Sequence, residues 1–575
     1  GIFLKKRQTG DLFKNKLRQR NNSEYYHMVD AYLSYDNTFN HHHIRGLVGF
    51  NYEQDYQKNL YSTMMDIQSN NLNDFNLGNH TEGVSLEGGQ YEWALESFFG
   101  RVGYDWKGRY LAEVNLRWDA SSRFRRDKRA AVFPSVSAGW RVSEEPFFAP
   151  IRNTFSNFKI RGSFGSLGNQ AISSPYPYIQ TLDLLQQNYL VNGEFLTYAS
   201  VSAPTAGNFT WETVVHGNLG LDLGFFNNRL TFAGDLYIRD TKDMLVPGKT
   251  LPGVYGAASP KENAADLRTK GYELTLSWND KFNLAGKPFT YGVSFALGDN
   301  ISKITKYDNP TKDFNVSQYY EGMTIGEIWG YKIDGLFKTD EEAAAYQAEI
   351  DHSLIAKNIL QTATGKYKGL KAGDPKFVDL DGNGRIDDGE KTANNRGDMR
   401  VIGNSRPRYN YSGSINLGWN GFDISAFFQG VGRQHRYPDG NAMLFWGGYA
   451  RPYSSFVPEH FLDDVWSEDN PDAYFPKLRG YAAQGDRHLA KVNNRYLQNT
   501  AYCRLKNLTV GYTLPVDLTR KARIDRVRVY FSGDNLVTWT ALKSKYIDPE
   551  QFSTDGSARV YPFAKTFSFG LDITF

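Results

Sequence analysis

The stretch RYLAEVNLRWD, residues 109–119, alternates between two kinds of side chain and thereby indicates the fold class. One side of the extended chain carries only apolar residues, which are Tyr110, Ala112, Val114, Leu116 and Trp118. The other side is charged or polar except at Leu111. A period of two is typical of a β-strand whose two faces meet different surroundings. The length of the stretch also suits a strand that crosses a bilayer at the tilt usual in barrels, which takes about 9–11 residues.

The same alternation recurs along the chain and predicts fifteen strands. They lie at 26–38, 44–54, 97–106, 109–119, 133–142, 158–166, 213–224, 229–239, 271–278, 289–299, 409–419, 422–430, 502–513, 526–534 and 566–575. No apolar run approaches the roughly 18–20 residues that a membrane-spanning helix needs. The chain is nevertheless rich in rings, with 38 Phe, 37 Tyr and 11 Trp, although its mean hydropathy is only −0.54. We therefore predict an all-β fold, a transmembrane antiparallel β-barrel.

The connections between these strands alternate between two length classes. Four are tight: 39–43, 107–108, 225–228 and 420–421, the last being Asn-Gly, the strongest short hairpin signal. Six are long: 55–96, 167–212, 240–270, 300–408, 431–501 and 537–562. Because outer-membrane barrels have short periplasmic turns and long extracellular loops, we expect the long connections to be extracellular. The turns at 143–157 and 514–525 are longer than this pattern predicts.

The strand count predicts that the sequence is part of a longer chain. A closed bacterial barrel has an even number of strands, and the first of the fifteen runs inward, so at least one strand is expected upstream. GIFLKKR, residues 1–7, is interpreted as the tail of that strand. The N-terminus also lacks the apolar core and cleavage site of a signal peptide. We therefore expect residues 1–575 to be the C-terminal portion of a larger barrel protein.

Several blocks of sequence carry a family resemblance along nearly all of the chain. They are FKIRGSFGSLGNQ (158–170), WETVVHGNLGLDLGFFNNRLTFAGDLYIRDTKDML (211–245), TKGYELTLSW (269–278), IGEIWGYKIDGLF (325–337), VIGNSRPRYNYSGSINLGWNGFDISAFFQGVG (401–432), YCRLKNLTVGYTLP (502–515), DNLVTWTALKSKYIDPE (534–550) and TFSFGLDITF (566–575). With these blocks the chain resembles the SusC/RagA-type TonB-dependent transporters of Bacteroidetes outer membranes.

The resemblance implies a multi-pass protein of the cell outer membrane that imports nutrients. It implies a barrel of about 22 strands, closed inside by an N-terminal plug domain and opened by TonB. It further implies a SusD-like surface lipoprotein as a lid, and oligosaccharides or peptides as cargo. The plug, the TonB box and the first strands are not in this sequence, so contact with TonB is expected through the missing N-terminal region. The closing residue Phe575 resembles the assembly signal of outer-membrane proteins.

The stretch DLDGNGRIDDGE, residues 379–390, matches the register of a calcium loop. Such a loop takes oxygen ligands at positions 1, 3, 5, 7, 9 and 12, with Gly at position 6. Those positions are filled by Asp379, Asp381, Asn383, the carbonyl of Arg385, Asp387 and Glu390. Neither flank is an amphipathic helix, so the sequence predicts a structural calcium in the 300–408 loop rather than a calcium sensor. The alternative is that the Asp-Gly and Asn-Gly pairs serve only as turn residues.

Other residues suggest binding or channel roles. In MLFWGGYARPY, residues 443–453, the rings of Trp446, Tyr449 and Tyr453 suit stacking on sugars or on a partner protein, or packing within the loop. His41, His42 and His43 are expected in a solvated turn, since three adjacent residues do not all face one ion. The polar sides of the strands either hydrate a channel or pair their charges; they include Arg101, Asp105, Glu113, Arg117, Glu273 and Arg528.

The sequence also disfavours several classes of protein. The net charge is +3 without a long basic block, so nucleic acid is not an expected partner. Cys503 has no second cysteine with which to form a disulfide or a metal site. No phosphate-binding loop, zinc-protease motif or nucleophile elbow is found, so we do not expect an enzyme, a surface glycan-processing enzyme included. The alternative to a transporter is a surface calcium-binding structural or adhesion protein built of β-domains.

Overall fold

The computed structural model describes residues 16–575 except 68–70, 79, 81–83, 171, 173–175, 187–189, 203, 206, 208, 249–253, 255–258, 315–318, 356–368, 456, 458, 545–546, 555, 558–560 and 562. The strand tail predicted at residues 1–7 lies outside this part of the chain. None of the helices in the described residues is long and apolar enough to span a membrane.

The described residues are organised mainly as β-strands. In chain order these are β1 (Lys16–Phe39), β2 (His42–Met65), β3 (Ser85–Trp106), β4 (Tyr110–Ser121), β5 (Ala130–Arg141), β6 (Phe155–Asn169), β7 (Leu182–Gln186), β8 (Thr197–Val201), β9 (Glu212–Phe225), β10 (Leu230–Pro247), β11 (Lys261–Leu284), β12 (Lys287–Lys306), β13 (Glu327–Gly330), β14 (Ile333–Leu336), β15 (Pro375–Phe377), β16 (Arg400–Asn404), β17 (Arg408–Trp419), β18 (Phe422–Arg433), β19 (His435–Arg436), β20 (Gln498–Asn499), β21 (Tyr502–Thr513), β22 (Arg526–Thr540) and β23 (Thr566–Thr574).

Fifteen of these strands form one antiparallel sheet, in the order β1-β2-β3-β4-β5-β6-β9-β10-β11-β12-β17-β18-β21-β22-β23. Each strand therefore pairs with its predecessor in the sheet's chain order, as expected where short turns connect neighbours. The other strands make two-stranded pairs, β7 with β8, β13 with β16, β14 with β15, and β19 with β20.

Short helices accompany the loops and two of the turns. The α-helical ones are α1 (Asp340–Glu349), α2 (Met443–Trp446), α3 (Val516–Thr519) and α4 (Pro549–Thr554). The 3₁₀ segments are Phe75–Leu77, Val142–Glu144, Pro146–Ile151, Gly447–Tyr449, Glu459–Asp464 and Arg520–Ala522. α1 begins at Thr339, whose side chain caps it by accepting a hydrogen bond from the amide of Glu342. The two turns that were longer than the pattern predicted thus contain helical segments.

The two faces of the sheet are reversed relative to a water-soluble protein. On β4, Val114 and Leu116 are 56% and 53% exposed, whereas Asp119 on the opposite face is 7% exposed. On β23, Phe567 and Phe569 are 60% and 84% exposed. We call the side with exposed rings and aliphatic chains the apolar face, and the other the polar face. Exposure of a continuous apolar face is stable only against lipid, because in water it would cost about 25 cal/mol per Å².

The chain divides into two compact units. The first contains Gly1–Ala138, Phe164–Val215 and Lys242–Ala264, and the second contains Gly139–Ser163, His216–Thr241 and Ala265–Phe575. In the first unit, a small cluster of buried side chains is made of Leu95, Phe124, Phe133, Phe209 and Trp211.

In the second unit, the long connections between sheet strands have a hydrophobic core of their own. Its residues come from three stretches of chain, 307–407, 434–501 and 541–565, which we call the loop layer. The buried members include Tyr331, Phe377 and Ile386 from the first stretch, Trp446 and Tyr496 from the second, and Phe552 from the third. Residues more than 100 positions apart in the sequence therefore pack together, and this loop core makes the loop layer a folded structure.

All fifteen predicted strands are confirmed, and most are longer than predicted. The β1–β2 hairpin pairs Lys16–Phe39 with His42–Met65 in one continuous register, although the alternation predicted only 26–38 and 44–54. Much of the supposed long connection 55–96 is strand, as is most of 240–270. The extra length lies beyond the span that alternates, and part of it is held by packing, since Trp93, Leu95 and Leu245 join the buried cluster of the first unit.

Candidate functional site

The polar face of the sheet carries charges that are largely paired with one another. Arg117 donates to Asp119 at 2.7 Å and to Ser97 at 2.9 Å. Arg528 donates to Asp423 at 2.6 Å and to Asp572 at 3.3 Å, so that one guanidinium joins β18, β22 and β23. Such forked contacts fix the arrangement of neighbouring strands.

The remaining charges predicted on this face divide into two groups. The carboxylate of Asp105 accepts from the amide of Gly108 at 2.6 Å, and Glu113 accepts from Asn115 at 3.1 Å. For Arg101 and Glu273, the described part of the chain offers no ion pair within 4 Å. These two side chains remain available to water.

Two further ion-pair groups were not predicted from the sequence. Arg161 on β6 binds Asp222 on β9 at 3.2 Å and Asp235 on β10 at 2.6 Å. Arg408 on β17 forms a forked pair with Asp299 on β12. Their signal in the sequence was weak because the partners lie 61 to 109 positions apart.

The loop at 379–390 is folded around its own carboxylates. Asp379 accepts hydrogen bonds from the amides of Gly382 at 2.7 Å and Gly384 at 2.9 Å. Gly382 and Gly384 both have positive φ, +76° and +79°, a conformation that favours glycine. Asn383 donates to Asp387 at 3.1 Å. The two glycines thus fold this stretch back onto the carboxylate of Asp379.

A carboxylate from outside the motif completes the cluster. Oxygens of Asp379, Asp381 and Asp398 lie within 4.8 Å of one another, close enough to hold a single cation. Asp398 is fully buried, and it accepts from the amides of Leu380 at 2.5 Å and Asp387 at 2.8 Å. Asp387 and Glu390 lie outside this group. Asp398 was missed because it follows the last motif position by eight residues.

The protonation of these carboxylates reflects two opposing influences. Burial acts against ionisation of Asp379, but the amides of Gly384 and Gly382 outweigh it and hold its pKa below the ordinary value. For Asp398, burial prevails, with the charges of Asp381 and Asp379 adding to it, and its pKa is raised. The positive charge of a bound divalent cation would relieve that repulsion. Ca²⁺ is suited to this role because it prefers hard oxygen ligands.

The aromatic residues proposed for ligand contact are placed very differently from one another. Trp446 and Tyr449 are fully buried in the loop core. The indole of Trp446 donates to the carbonyl of Asp439 at 3.0 Å, and the hydroxyl of Tyr449 donates to the carbonyl of Pro476. Neither ring offers a free face to a sugar, which favours the packing interpretation. Tyr453 is 91% exposed and remains the ring available for stacking.

The remaining singled-out residues lie at the ends of strands. From β2, His42 contacts the hydroxyl of Tyr104 on β3 at 2.7 Å and His43 contacts Asp36 on β1 at 2.8 Å, so these two histidines link β2 to the strands on either side of it. Phe575 follows β23 directly and is 84% exposed. Its aromatic ring continues the alternate positions of Phe567 and Phe569 on the apolar face.

Known proteins resemble this chain in sequence and in structure. The family model described as "TonB dependent receptor-like, beta-barrel" matches residues 5–348. "TonB-dependent receptor P3" of Formosa agariphila is 29% identical over 95% of this chain and 52% of its own length. "TonB-dependent receptor SusC" of Bacteroides thetaiotaomicron is 29% identical over 84% of this chain and 44% of its own length. The chain thus spans about half the length of the curated relatives it matches.

Among solved structures, the fold is similar to that in "Structure of the RagAB peptide transporter", with a TM-score of 0.74 and 23% identity. The match covers 97% of this chain and 56% of the other. At that identity the likeness concerns the fold.

Proposed function

Because this chain belongs to the family of TonB-dependent receptor-like β-barrels, an outer-membrane family, we propose that it is part of a nutrient importer for oligosaccharides or peptides. The observation that carries the proposal is the reversal of the sheet's faces, with exposed apolar side chains on one and paired charges on the other. A barrel wall of this kind meets lipid outside and a polar path inside. The relatives named above are receptors of the same class.

The proposed importer works with partners that are not in this chain. We propose that a SusD-like surface lipoprotein covers the extracellular loops, and that TonB acts through a region outside these 575 residues. The support is sequence similarity to SusC and the folded loop layer, which offers a firm surface at the outer end. We assign no catalytic role. The alternative of a soluble adhesion protein built of β-domains has no support, since its strands would bury their apolar residues between sheets.

Gene deletion in the source bacterium tests the proposed import. The deletion strain should lose growth on either neutral oligosaccharides of four to seven sugars or on oligopeptides, and should grow normally on the free monosaccharides and amino acids. Returning the full-length gene should restore growth. Normal growth of the deletion strain on every oligosaccharide and peptide supplied would contradict the proposal.

We also propose that the 379–390 loop holds a structural calcium ion. The support is the register of the motif together with the three carboxylates that lie within 4.8 Å of one another. Ligands come from Asp379, Asp381 and Asp398, with Asn383, the Arg385 carbonyl, Asp387 and Glu390 as the further positions of the motif. An extracellular loop suits such a site, because affinities of about 0.1–1 mM suffice there.

Calcium removal tests this second proposal. Saturating CaCl₂ should stabilise the full-length protein against thermal unfolding, by about 2.7 kcal/mol at 100 times the dissociation constant, and a chelator should reverse the effect. Asp381→Asn should abolish the calcium response, because it removes a ligand charge from an exposed position. Asp388→Asn is the matched control, since Asp388 lies in the same loop outside the ligand positions and pairs with Lys391 at 3.0 Å. Equal Tm values with calcium and with chelator would exclude the site.

A further inference from the structure

A cavity of about 620 Å³ lies on the polar face of the second unit, against five consecutive sheet strands. The strand register places its lining in two rows that cross β11, β12, β17 and β18. One row is Glu273, Gly298, Asn410 and Val431, and the next is Thr275, Ala296, Ser412 and Gln429. We call this cavity, with Tyr237 and Phe427 at its ends, the wall groove. Its volume is in the range of small-molecule sites.

The shape of the wall groove follows from side-chain size. Its floor is made of small residues, Gly298, Ala296 and Ser412, so the sheet surface is low there. Tyr237 on β10 bounds one end, where its ring lies over Gly271. A Cβ at that glycine would stand 2.5 Å from ring atoms of Tyr237, so a larger residue would push the ring away.

The other end of the wall groove is bounded by Phe427 on β18. Its ring is 41% exposed, although it lies on the polar face, opposite Ser414 in the register. Within the described residues this ring has no aromatic contact, and its neighbours in the rows are serine and amide side chains. Two rings thus stand about four strand spacings apart, roughly 19 Å, with a shallow polar floor between them.

Four polar side chains of the wall groove have no other partner among the described residues, whereas its Asp299 is paired with Arg408 and its Tyr411 donates to the carbonyl of Tyr502. Asn410, Gln429, Ser412 and Thr275 make no side-chain hydrogen bond within the described part of the chain, in contrast to the paired charges elsewhere on this face. Glu273 also has no ion pair there. No lysine or arginine is among the lining residues. The groove therefore offers amides, hydroxyls and the carboxylate of Glu273, since that of Asp299 is held by Arg408. Its lining lacks the cation that a carboxylate-bearing ligand needs.

We infer that the wall groove is a binding subsite for neutral oligosaccharides on their way through the barrel. Amides and hydroxyls pair with the hydroxyls of a sugar chain, and the rings of Tyr237 and Phe427 cover its apolar C–H faces. The terminal carboxylate of a peptide would find no lysine or arginine in the groove lining, whereas a neutral sugar chain needs none. The inference rests on the proposed import function and selects, of its two cargo classes, the sugars.

Uptake measurements on cells test the inference. The probes are maltoheptaose, cellohexaose, xylohexaose and mannohexaose, with an uncharged and an acidic hexapeptide for comparison. Two variants of the full-length protein are compared with the wild type. The double variant is Asn410→Ala with Gln429→Ala, and the single variant is Phe427→Ala. We expect the half-saturation concentration for the transported oligosaccharide to rise about tenfold in the double variant, the combined effect of two neutral hydrogen bonds. Asn115→Ala, an amide on the polar face of β4 outside the groove, should leave uptake unchanged.

The outcomes separate this inference from the proposed function. Heat-modifiable migration on gels, equal to that of the wild type, shows that each variant is assembled. Unchanged oligosaccharide uptake in assembled groove variants would overturn the subsite and leave the importer intact. Uptake of peptides but of none of the four sugars would overturn it too. If the wild-type protein takes up neither class, the import function itself fails.

Discussion

Single buried polar side chains determine how the loop layer is attached to the sheet. Arg504 on β21 is 1% exposed and donates to Thr538 at 2.9 Å, to Glu550 at 2.9 Å and to Asp548. Lys506 binds Glu550 as well, at 2.8 Å. A buried guanidinium without its carboxylates would be costly, about 3–5 kcal/mol. These contacts therefore hold the last stretch of the loop layer, 541–565, which contains Phe552 of the loop core, against the sheet.

Unlike Arg504, which is buried as a charged and paired group, the buried histidine of the loop layer is kept neutral. His488 is 2% exposed, and neither ring nitrogen has a hydrogen-bond partner in the described residues. Burial, helped by the nearby charges of Arg479 and Arg487, lowers its pKa to about 3. An unfolded histidine titrates near about 6.5. As pH falls from that value towards 3, only the unfolded loop layer binds the proton. The free energy of unfolding of the loop layer therefore falls.

Replacing His488 should reduce this pH dependence. At pH 5 the unfavourable contribution amounts to about 2 kcal/mol, so wild-type amide exchange across 434–501 should be faster at pH 5 than at pH 7 by more than intrinsic chemistry predicts. In His488→Phe that difference should shrink, because no proton can be taken up. His43→Phe, in the β1–β2 hairpin, serves as the control. An unaltered pH dependence in His488→Phe would show that His488 does not cause the loss of loop-layer stability at low pH.

At the scale of a strand, the nature of each face decides what it tolerates. Turn chemistry fixes the register: Asn420 and Gly421 have φ of +47° and +87°, and they join Trp419 to Phe422 as a two-residue hairpin. Alternation then places every second residue on the same face. Of two adjacent positions in one strand, one consequently meets lipid and the other the polar interior. The same residue introduced at both positions therefore lowers the free energy of unfolding by different amounts.

Leu276 and Ser277 of β11 provide that comparison. Leu276 is 45% exposed on the apolar face, and Ser277 faces Ser294 of β12 on the other. Leu276→Arg should destabilise the folded barrel by about 2–4 kcal/mol, the cost of arginine near the bilayer midplane. Ser277→Arg should cost far less, since the polar face is hydrated. Urea-induced unfolding in lipid vesicles measures both, and equal losses would argue against lipid on the Leu276 side.

At the scale of the whole molecule, the chain is stabilised in two different solvents. The sheet strands hold each other by hydrogen bonds and expose apolar side chains to lipid. The loop layer buries its rings, including Trp446, Tyr449 and Phe475, as a water-soluble core does. The two parts therefore respond to different perturbations: detergent and lipid act on the sheet, while core substitutions act on the loop layer.

Trp446→Ala should loosen the loop layer alone. Truncating a buried tryptophan costs about 3–5 kcal/mol, so proteolysis within 434–501 should accelerate. The sheet should remain assembled, with unchanged heat-modifiable migration. Tyr453→Ala is the matched control, because this ring is 91% exposed and should affect ligand or partner contact rather than protection. Loss of both loop protection and sheet assembly would mean that the two parts fold as one.

The sequence by itself determined the strands, the two faces and the order of the sheet. Those features depend on interactions within a strand and between chain neighbours. Lipid acts on each segment separately, so RYLAEVNLRWD, residues 109–119, shows its alternation without reference to any other part of the chain. The tight turns were predictable for the same reason, since Asn-Gly adopts its backbone conformation locally.

Only the tertiary structure decided what lies between the strands. From the sequence, the ring of Trp446 was equally suited to stacking on a ligand. It is a core residue because Ile386 and Phe552, which are distant in the chain, belong to the same buried cluster. The buried carboxylate of Asp398 joins Asp379 and Asp381 through a fold of the loop that a motif does not encode. Such contacts bring together residues far apart in the chain. Their energies depend on how separate segments fit, which no local pattern of residues records.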